Sequence, residues 1–186
     1  MNLEDSTFIK KLISCLGSSP FSAERFTIED DIECDFLLFK DKPYIGVNSV
    51  FTNGARFIFD FKPVEFVFTY NYEDIEKSFD AKAFLATFIQ LKFMLEPEIA
   101  GVGKYFKVPG KVMKEFGFQG VYITRPCYFS DSFFTSKKEV EIYWVIPVYL
   151  DEILFLEKSG SASFESMLES LDPDLCDLNR LNLVSS

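Results

Sequence analysis

The sequence of 186 residues contains no histidine. A serine or cysteine nucleophile usually relies on a histidine base, and zinc sites use histidines or clustered thiols. The four cysteines, Cys15, Cys34, Cys127 and Cys176, lie far apart and form no C-x-x-C pair. We therefore expect no metal site, and reduced thiols of which three are packed as small apolar groups.

The chain also lacks an apolar run long enough to cross a bilayer, so we expect no contact with membranes. Its first residues, Met1–Asp5, are polar and acidic and do not have the pattern of a secretory leader. Basic residues are few: 19 Lys and Arg oppose 29 Asp and Glu, for a net charge of −10. Because such a surface repels phosphates, we do not expect the protein to bind nucleic acid. The missing leader pattern and membrane span lead us to expect a cytoplasmic protein.

Motifs for other enzyme chemistry are missing. Gly101-Val102-Gly103 lacks the third glycine and the following Lys-Ser or Lys-Thr of a phosphate loop, and it follows a predicted helix. Ser136-Lys137 lies in a predicted loop without any supporting pattern. Paired acids such as Asp151-Glu152 are frequent because the chain is acidic, and acid catalysis would need them to converge in a cleft. We expect a non-enzymatic protein without a cofactor.

Phenylalanine, by contrast, is abundant, with 23 residues. Its side chain is large and apolar, so most of these rings should lie in the core of one domain spanning residues 1–186. A surplus of aromatic rings is also typical of an interaction surface.

Apolar periodicity predicts helices at both ends and in the middle of the chain. Leu3–Leu16 is amphipathic, and Asp80–Leu95 is apolar over most of its circumference, which indicates a central helix packed over a sheet. Near the C-terminus, Asp151–Lys158 predicts a helix that stops at Gly160, and a second short helix follows around Ser163–Glu169.

Alternating apolar residues predict the strands. The Asn53-Gly54 pair indicates a tight hairpin turn, because both positions of such a turn require positive φ. Pro147 belongs on an edge or at the exit of its strand. The predicted strands are Cys34–Lys40, Tyr44–Phe51, a segment containing Phe57, Phe59 and Phe61, Val64–Tyr70, Phe118–Thr124 and Val140–Tyr149. The first four predict an antiparallel meander, and the whole pattern predicts an α+β fold with a mostly antiparallel sheet.

Acidic residues concentrate in two blocks. Residues 151–180 carry a net charge of −6 and residues 24–35 carry −5. Either block is a solvated surface or a face that binds a basic partner. The candidate partner contacts are the acids Asp151, Glu152, Glu157, Asp172 and Asp174, with Phe129, Phe133 and Phe134 as apolar anchors. The alternative for these three rings is a loop folded back on its own core.

Several short segments occur in an order that resembles a known family. They are Phe36–Tyr44, Val64-Glu65-Phe66-Val67, Val121–Pro126, Trp144-Val145-Ile146-Pro147-Val148, a helix opening with Glu152 and followed by Gly160, Met167-Leu168, and Asp177-Leu178-Asn179-Arg180. Together they cover about residues 30–180 and resemble the suppressor-of-fused domain family. The turn Val50–Ala55 only approximates the Thr-x-Gly-x-Ser turn of relatives.

The resemblance implies a stoichiometric binder. Bacterial members with a single such domain look like immunity proteins, which bind and neutralise a cognate secreted toxin. A basic toxin such as a nuclease would suit the acidic surface, and the protein would be a monomer or weak dimer. An intracellular adaptor that binds a regulatory protein remains the alternative.

Overall fold

A seven-stranded sheet forms the centre of the computed structural model, which describes residues 7–29, 32–58, 63–74, 79–95, 101–108, 116–130, 133 and 140–184. The sheet order is β1-β2-β3-β4-β7-β6-β5; the β4–β7 pair is parallel and the other described pairs are antiparallel. The strands are β1 Ser22–Glu29, β2 Ile32–Phe39, β3 Val47–Asn53, β4 Val64–Asn71, β5 Tyr105–Lys107, β6 Gly120–Thr124 and β7 Glu141–Val148, and the described α-helices are α1 Thr7–Leu16, α2 Ala81–Leu95 and α3 Leu150–Leu171. The predicted α+β class is confirmed.

The first four strands form the predicted meander, but with different members. The predicted strands at 34–40, 44–51 and 64–70 correspond to β2, β3 and β4. The acidic segment before Cys34, for which the sequence predicts no strand, contains β1, paired antiparallel with β2. Arg25 lies opposite Asp35, and its Nε donates to the Asp35 Oδ1 at 2.7 Å. This cross-strand pair offsets part of the charge that obscured the strand in the sequence.

The predicted Asn53-Gly54 hairpin is wrong. Gly54, with φ of 140°, leads into a 3₁₀ turn at Ala55–Phe57, so Phe57 lies in that turn and not in a strand. The buried Glu65 carboxylate organises the turn by accepting the backbone N–H groups of Gly54 at 2.9 Å and Ala55 at 3.1 Å. Burial raises the pKa of this carboxyl despite its ion pair with Arg56. Phe59 and Phe61 lie outside the described residues.

The α2 face of the sheet confirms the alternation predicted for β4. Val64, Phe66 and Phe68 point to the core under α2, while Glu65, Val67 and Thr69 point to the opposite face. Phe88 of α2 is buried against Phe66, with ring centroids 5.4 Å apart. Phe88 is therefore a core residue, as predicted.

The opposite face is covered by α1, by the loop after β6 and by α3. The described part of the predicted N-terminal helix buries Phe8, Ile9, Leu12 and Leu16, and residues 3–6 lie outside the described residues. Trp144 of β7 is only 1% exposed in this layer, so it is a core residue. Pro147 is the penultimate residue of β7, beyond the part that pairs with β4, so its predicted place at the strand exit is confirmed.

Two smaller expectations need correction. Cys34 and Cys176 are buried, whereas Cys15 and Cys127 are exposed, so two thiols and not three are packed in the core. Between the predicted helix Asp80–Leu95 and the predicted strand Phe118–Thr124 the sequence predicts no element, but the structure contains β5 there, which pairs with β6. No described helix combines the length and apolarity that crossing a membrane requires.

Candidate functional site

Helix α3 carries most of the predicted acidic contacts and is bent at Gly160. Gly160 has a non-helical backbone with φ of 79° and ψ of 166°, which confirms the two predicted helical pieces. A Cβ at Gly160 would meet no atom within 4 Å, so the backbone angle, and not space, favours glycine there. The bend allows the second piece to bury Phe164 against Tyr122 of β6, with ring centroids 5.0 Å apart.

Four of the predicted acids are exposed. Asp151 accepts a hydrogen bond from Asn182 at 3.0 Å, and Glu157 forms an ion pair with Lys107 at 3.3 Å. Asp172 caps the C-terminus of α3 in a left-handed conformation, and Asp174 accepts from the side chain of Asn71 at 2.9 Å. These contacts leave the four carboxylates on the surface along α3 and just after it.

Glu152 requires a correction, because its side chain is fully buried and cannot form part of the acidic surface. The two terminal nitrogens of the Arg180 guanidinium, Nη1 and Nη2, donate to the carboxylate oxygens of Glu152 at 2.7 and 2.8 Å. Glu152 also accepts the backbone N–H groups of Tyr149 and Leu183. The pair thus fastens the C-terminal segment to the start of α3.

Two of the predicted aromatic anchors are also internal. Phe129 and Phe133 stack on each other at 5.1 Å and both contact Phe51 of β3, at 5.7 and 5.8 Å between ring centroids. At these two positions the loop packs on the core, as in the alternative interpretation. Phe134 lies outside the described residues.

Exposed apolar side chains beside the acidic residues include Leu154 and Leu171 on α3 and Leu181 after it, and others lie on the turn before β3. Ile45 is 90% exposed and Tyr44 is partly exposed. The Tyr44 ring contacts Tyr128 at 5.9 Å, and the Tyr128 hydroxyl donates to the carbonyl of Pro173, which follows α3. Sequence reasoning missed these residues because it placed Tyr44 and Ile45 in the predicted strand Tyr44–Phe51, whereas β3 begins at Val47.

A cleft of about 470 Å³ lies between the second piece of α3 and the loops at the end of β6. Along α3, Glu165, Leu168, Glu169 and Asp172 share one helix face because they are spaced three or four residues apart. The residues lining the cleft are Val102, Thr124, Arg125, Cys127, Tyr128, Trp144, Glu165, Leu168, Glu169, Asp172, Pro173 and Leu175. Asp172 is the one predicted contact among them; Glu165 and Glu169 belonged to the acidic block but were not singled out.

Burial affects two titratable groups at the cleft. Glu165 accepts a hydrogen bond from the Tyr122 hydroxyl at 2.8 Å, and burial raises the pKa of that phenol. Partial burial likewise raises the pKa of the Cys127 thiol. Within the described ranges, no three Cys, Asp or Glu side chains converge as metal ligands would.

The architecture is that of solved suppressor-of-fused structures. One is the crystal structure of a putative SUFU (suppressor of fused protein) homolog from Neisseria gonorrhoeae FA 1090, with a TM-score of 0.76 and 16% identity over 94% of this chain and 93% of that chain. Another is the Sufu-Fu complex crystal structure, with a TM-score of 0.60 and 10% identity over 96% of this chain and 91% of that chain.

The sequence profile of the family Suppressor of fused protein (SUFU) matches residues 32–181. The chain therefore belongs to this family, and the resemblance seen in the short segments is confirmed at the level of the family. No curated protein matches the chain in sequence.

Proposed function

We propose that this protein is an immunity protein that binds a cognate secreted toxin and neutralises it stoichiometrically, without enzymatic activity. The observation that carries the proposal is the exposed acidic surface of α3, with Asp151, Glu157, Asp172 and Asp174, on a suppressor-of-fused fold. A surface of this sign attracts a basic partner and speeds encounter. A basic nuclease is the class of toxin that this charge suits best.

The comparisons support binding more directly than they support the kind of partner. One similar structure is a Sufu-Fu complex, and this chain covers 93% of the length of a bacterial homolog. The likeness to the Sufu-Fu complex also favours the second candidate function, an intracellular adaptor that binds a regulatory protein. The two differ in the partner, which is toxic by itself only in the first.

Co-expression provides the test. A toxin gene from the neighbourhood of the native gene is expressed in a host cell with and without this protein, and growth is measured. We expect rescue, and in vitro we expect toxin activity to fall linearly and reach zero at one molar equivalent of protein.

Two outcomes would contradict the proposal. Inactivation of the toxin at far below one equivalent would indicate catalysis, because a binder cannot act on more molecules than it covers. If the partner purified from the native host is a non-toxic regulatory protein, the adaptor function replaces the immunity function.

A matched pair, Asp151→Asn/Glu157→Gln against Lys10→Gln/Lys11→Gln, removes charge of opposite sign and separates the acidic surface from general effects of charge.

A further inference from the structure

The cleft beside α3 has an apolar floor. Trp144, Leu168 and Leu175 line it together with the ring of Tyr128, which lies 5.0 Å from the Trp144 ring. An apolar floor of this kind gains free energy when a side chain displaces water from it. Val102 also lines the cleft. Its loop approaches α3 so closely that a Cβ at Gly103 would lie 3.0 Å from the Ser161 hydroxyl oxygen.

The rim of the same cleft is negative. Glu165, Glu169 and Asp172 contribute three carboxylates against the single guanidinium of Arg125. The Glu165 carboxylate is held in place by the Tyr122 hydroxyl, so it needs no reordering to meet a ligand. Helix α3 ends at Leu171, and the negative end of its dipole lies at the same place as Asp172. The carboxylates and the end of the helix dipole together produce a negative electrostatic potential in the cleft, which favours the binding of a cation.

We propose that this cleft receives a lysine or arginine side chain, together with an adjacent apolar residue, from the protein that this chain binds. The methylene stem of such a side chain packs on Leu168 and the ring of Tyr128, and its charged end reaches Glu165, Glu169 and Asp172. The charge complementarity selects a basic protein segment over an acidic or neutral one. The inference rests on the proposed function in one respect, that the occupant belongs to a protein partner.

The chain supplies its own probe for the test. Trp144 is the only tryptophan in the sequence, so its fluorescence reports directly on the floor of the cleft. The ligand is a short synthetic peptide of alternating leucine and arginine, capped at both ends. A peptide of alternating leucine and glutamate and the polyamine spermidine are titrated in parallel.

Two triple variants remove the same charge from different places. Glu165→Gln/Glu169→Gln/Asp172→Asn neutralises the rim of the cleft while keeping side-chain size, and asparagine tolerates the left-handed conformation of residue 172. Glu24→Gln/Glu33→Gln/Glu73→Gln neutralises three exposed acids that lie outside the cleft and outside α3. Circular dichroism and thermal unfolding check that both variants are folded.

We expect the leucine–arginine peptide to change the fluorescence of Trp144 saturably. The cleft variant should weaken its affinity about tenfold or more, and the control variant should change it no more than about twofold. Unchanged fluorescence, equal weakening by both variants, or equal binding of the leucine–glutamate peptide would overturn the proposal. Spermidine binding as tightly as the peptide would also overturn it, in favour of a small polycation.

The cleft variant also separates this inference from the proposed function. If it still neutralises the toxin at one equivalent and with unchanged affinity, the cleft is not the contact, while the immunity function stands. If the wild-type protein neutralises no toxin but its cleft binds the peptide with the expected selectivity, the immunity function fails and the cleft remains a site for basic protein segments.

Discussion

Glu152 shows how the meaning of one carboxylate depends on its surroundings. In the sequence it stands beside Asp151 at the start of an acidic helix, and both residues are equally suited to a binding surface. In the fold, Asp151 is exposed, whereas Glu152 turns inward to Arg180, which lies 28 positions along the chain. Composition cannot separate the two, because the pairing depends on a contact between distant segments.

Loss of Arg180 should therefore be costly. Arg180→Met leaves the buried Glu152 carboxylate without its counter-charge, and we expect the free energy of unfolding to fall by about 3–5 kcal/mol in urea denaturation. The double variant Glu152→Gln/Arg180→Met should be less destabilised than the single one, because no charge remains buried. Lys107→Met, which breaks the exposed pair with Glu157, is the control and should cost less than about 1 kcal/mol. Equal losses for the control and Arg180→Met would refute the structural role of the pair.

Cys176 predicts an alkaline loss of stability. Burial raises the pKa of its thiol to about 11, from an ordinary value of 9.0. The unfolded thiol therefore ionises first, so the stabilising contribution is complete below pH 9 and is lost as the pH rises to 11. Two pKa units correspond to about 3 kcal/mol. Between pH 9 and 11 we expect Cys176→Ala to lose less unfolding free energy than the parent, whereas Cys15→Ala, at an exposed position, should lose as much as the parent.

At the scale of elements, Gly120 sets how closely α3 approaches the sheet. A Cβ at this position in β6 would lie 2.3 Å from the Phe106 carbonyl oxygen and 2.5 Å from the Ile153 side chain of α3. The carbonyl belongs to the neighbouring strand β5 and cannot move without disturbing the β5–β6 pairing. We expect Gly120→Ala to lower the unfolding free energy by about 1–3 kcal/mol in thermal denaturation.

Gly101→Ala is the matched control for that substitution. Its Cβ would meet only the side chain of Lys104, at an ordinary 3.7 Å, so little change is expected. If the two alanine variants unfold at the same temperature, the contact between α3 and β6 is looser than described.

The elements that the sequence predicts correctly are those with a clear apolar pattern. The described part of α1 and β4 alternate between apolar and polar positions, α2 and β7 are apolar along almost their whole length, and each was predicted within a few residues. β1 was not predicted, because its charged residues interrupt the alternation of apolar and polar side chains. The structure shows that Arg25 of this strand lies opposite Asp35 of β2. The prediction of a hairpin turn at Asn53-Gly54 is wrong because the carboxylate of Glu65, a residue beyond the turn, accepts a hydrogen bond from the backbone N–H of Gly54. Errors of this kind arise where a distant residue decides local structure.

The candidate site, too, could be predicted only in part. Exposure of Asp151, Glu157, Asp172 and Asp174 agrees with a helix that turns a polar stripe outward. The cleft could not be predicted, because it is formed by the bend at Gly160, the loop after β6 and the floor of β7 together. Only the fold brings Trp144 beneath Glu165 and Glu169.

At the scale of the whole molecule, the net charge of −10 is divided between two regions. The block at 24–35 forms the β1–β2 hairpin at one edge of the sheet, where Arg25 bonds to both Glu33 and Asp35. The acids of α3 lie on the face of the other half of the sheet, with Lys107 as a cation paired to Glu157. We therefore expect α3 to be the stronger source of attraction for a basic partner.

This distribution predicts how fast a basic partner is captured. A charged surface attracts its partner over a distance set by the Debye length, which is about 30 Å at 0.01 M salt and about 10 Å at 0.1 M. We expect the association rate constant, measured by stopped flow, to fall about tenfold or more over this range while the dissociation rate changes little. Asp151→Lys/Glu157→Lys should slow association and leave the thermal unfolding midpoint nearly unchanged, whereas reversal at the buried Glu152 would unfold the protein and test nothing about binding. An association rate that ignores both salt and reversal on α3, but responds to Glu24→Lys in β1, would place the partner on the hairpin edge instead.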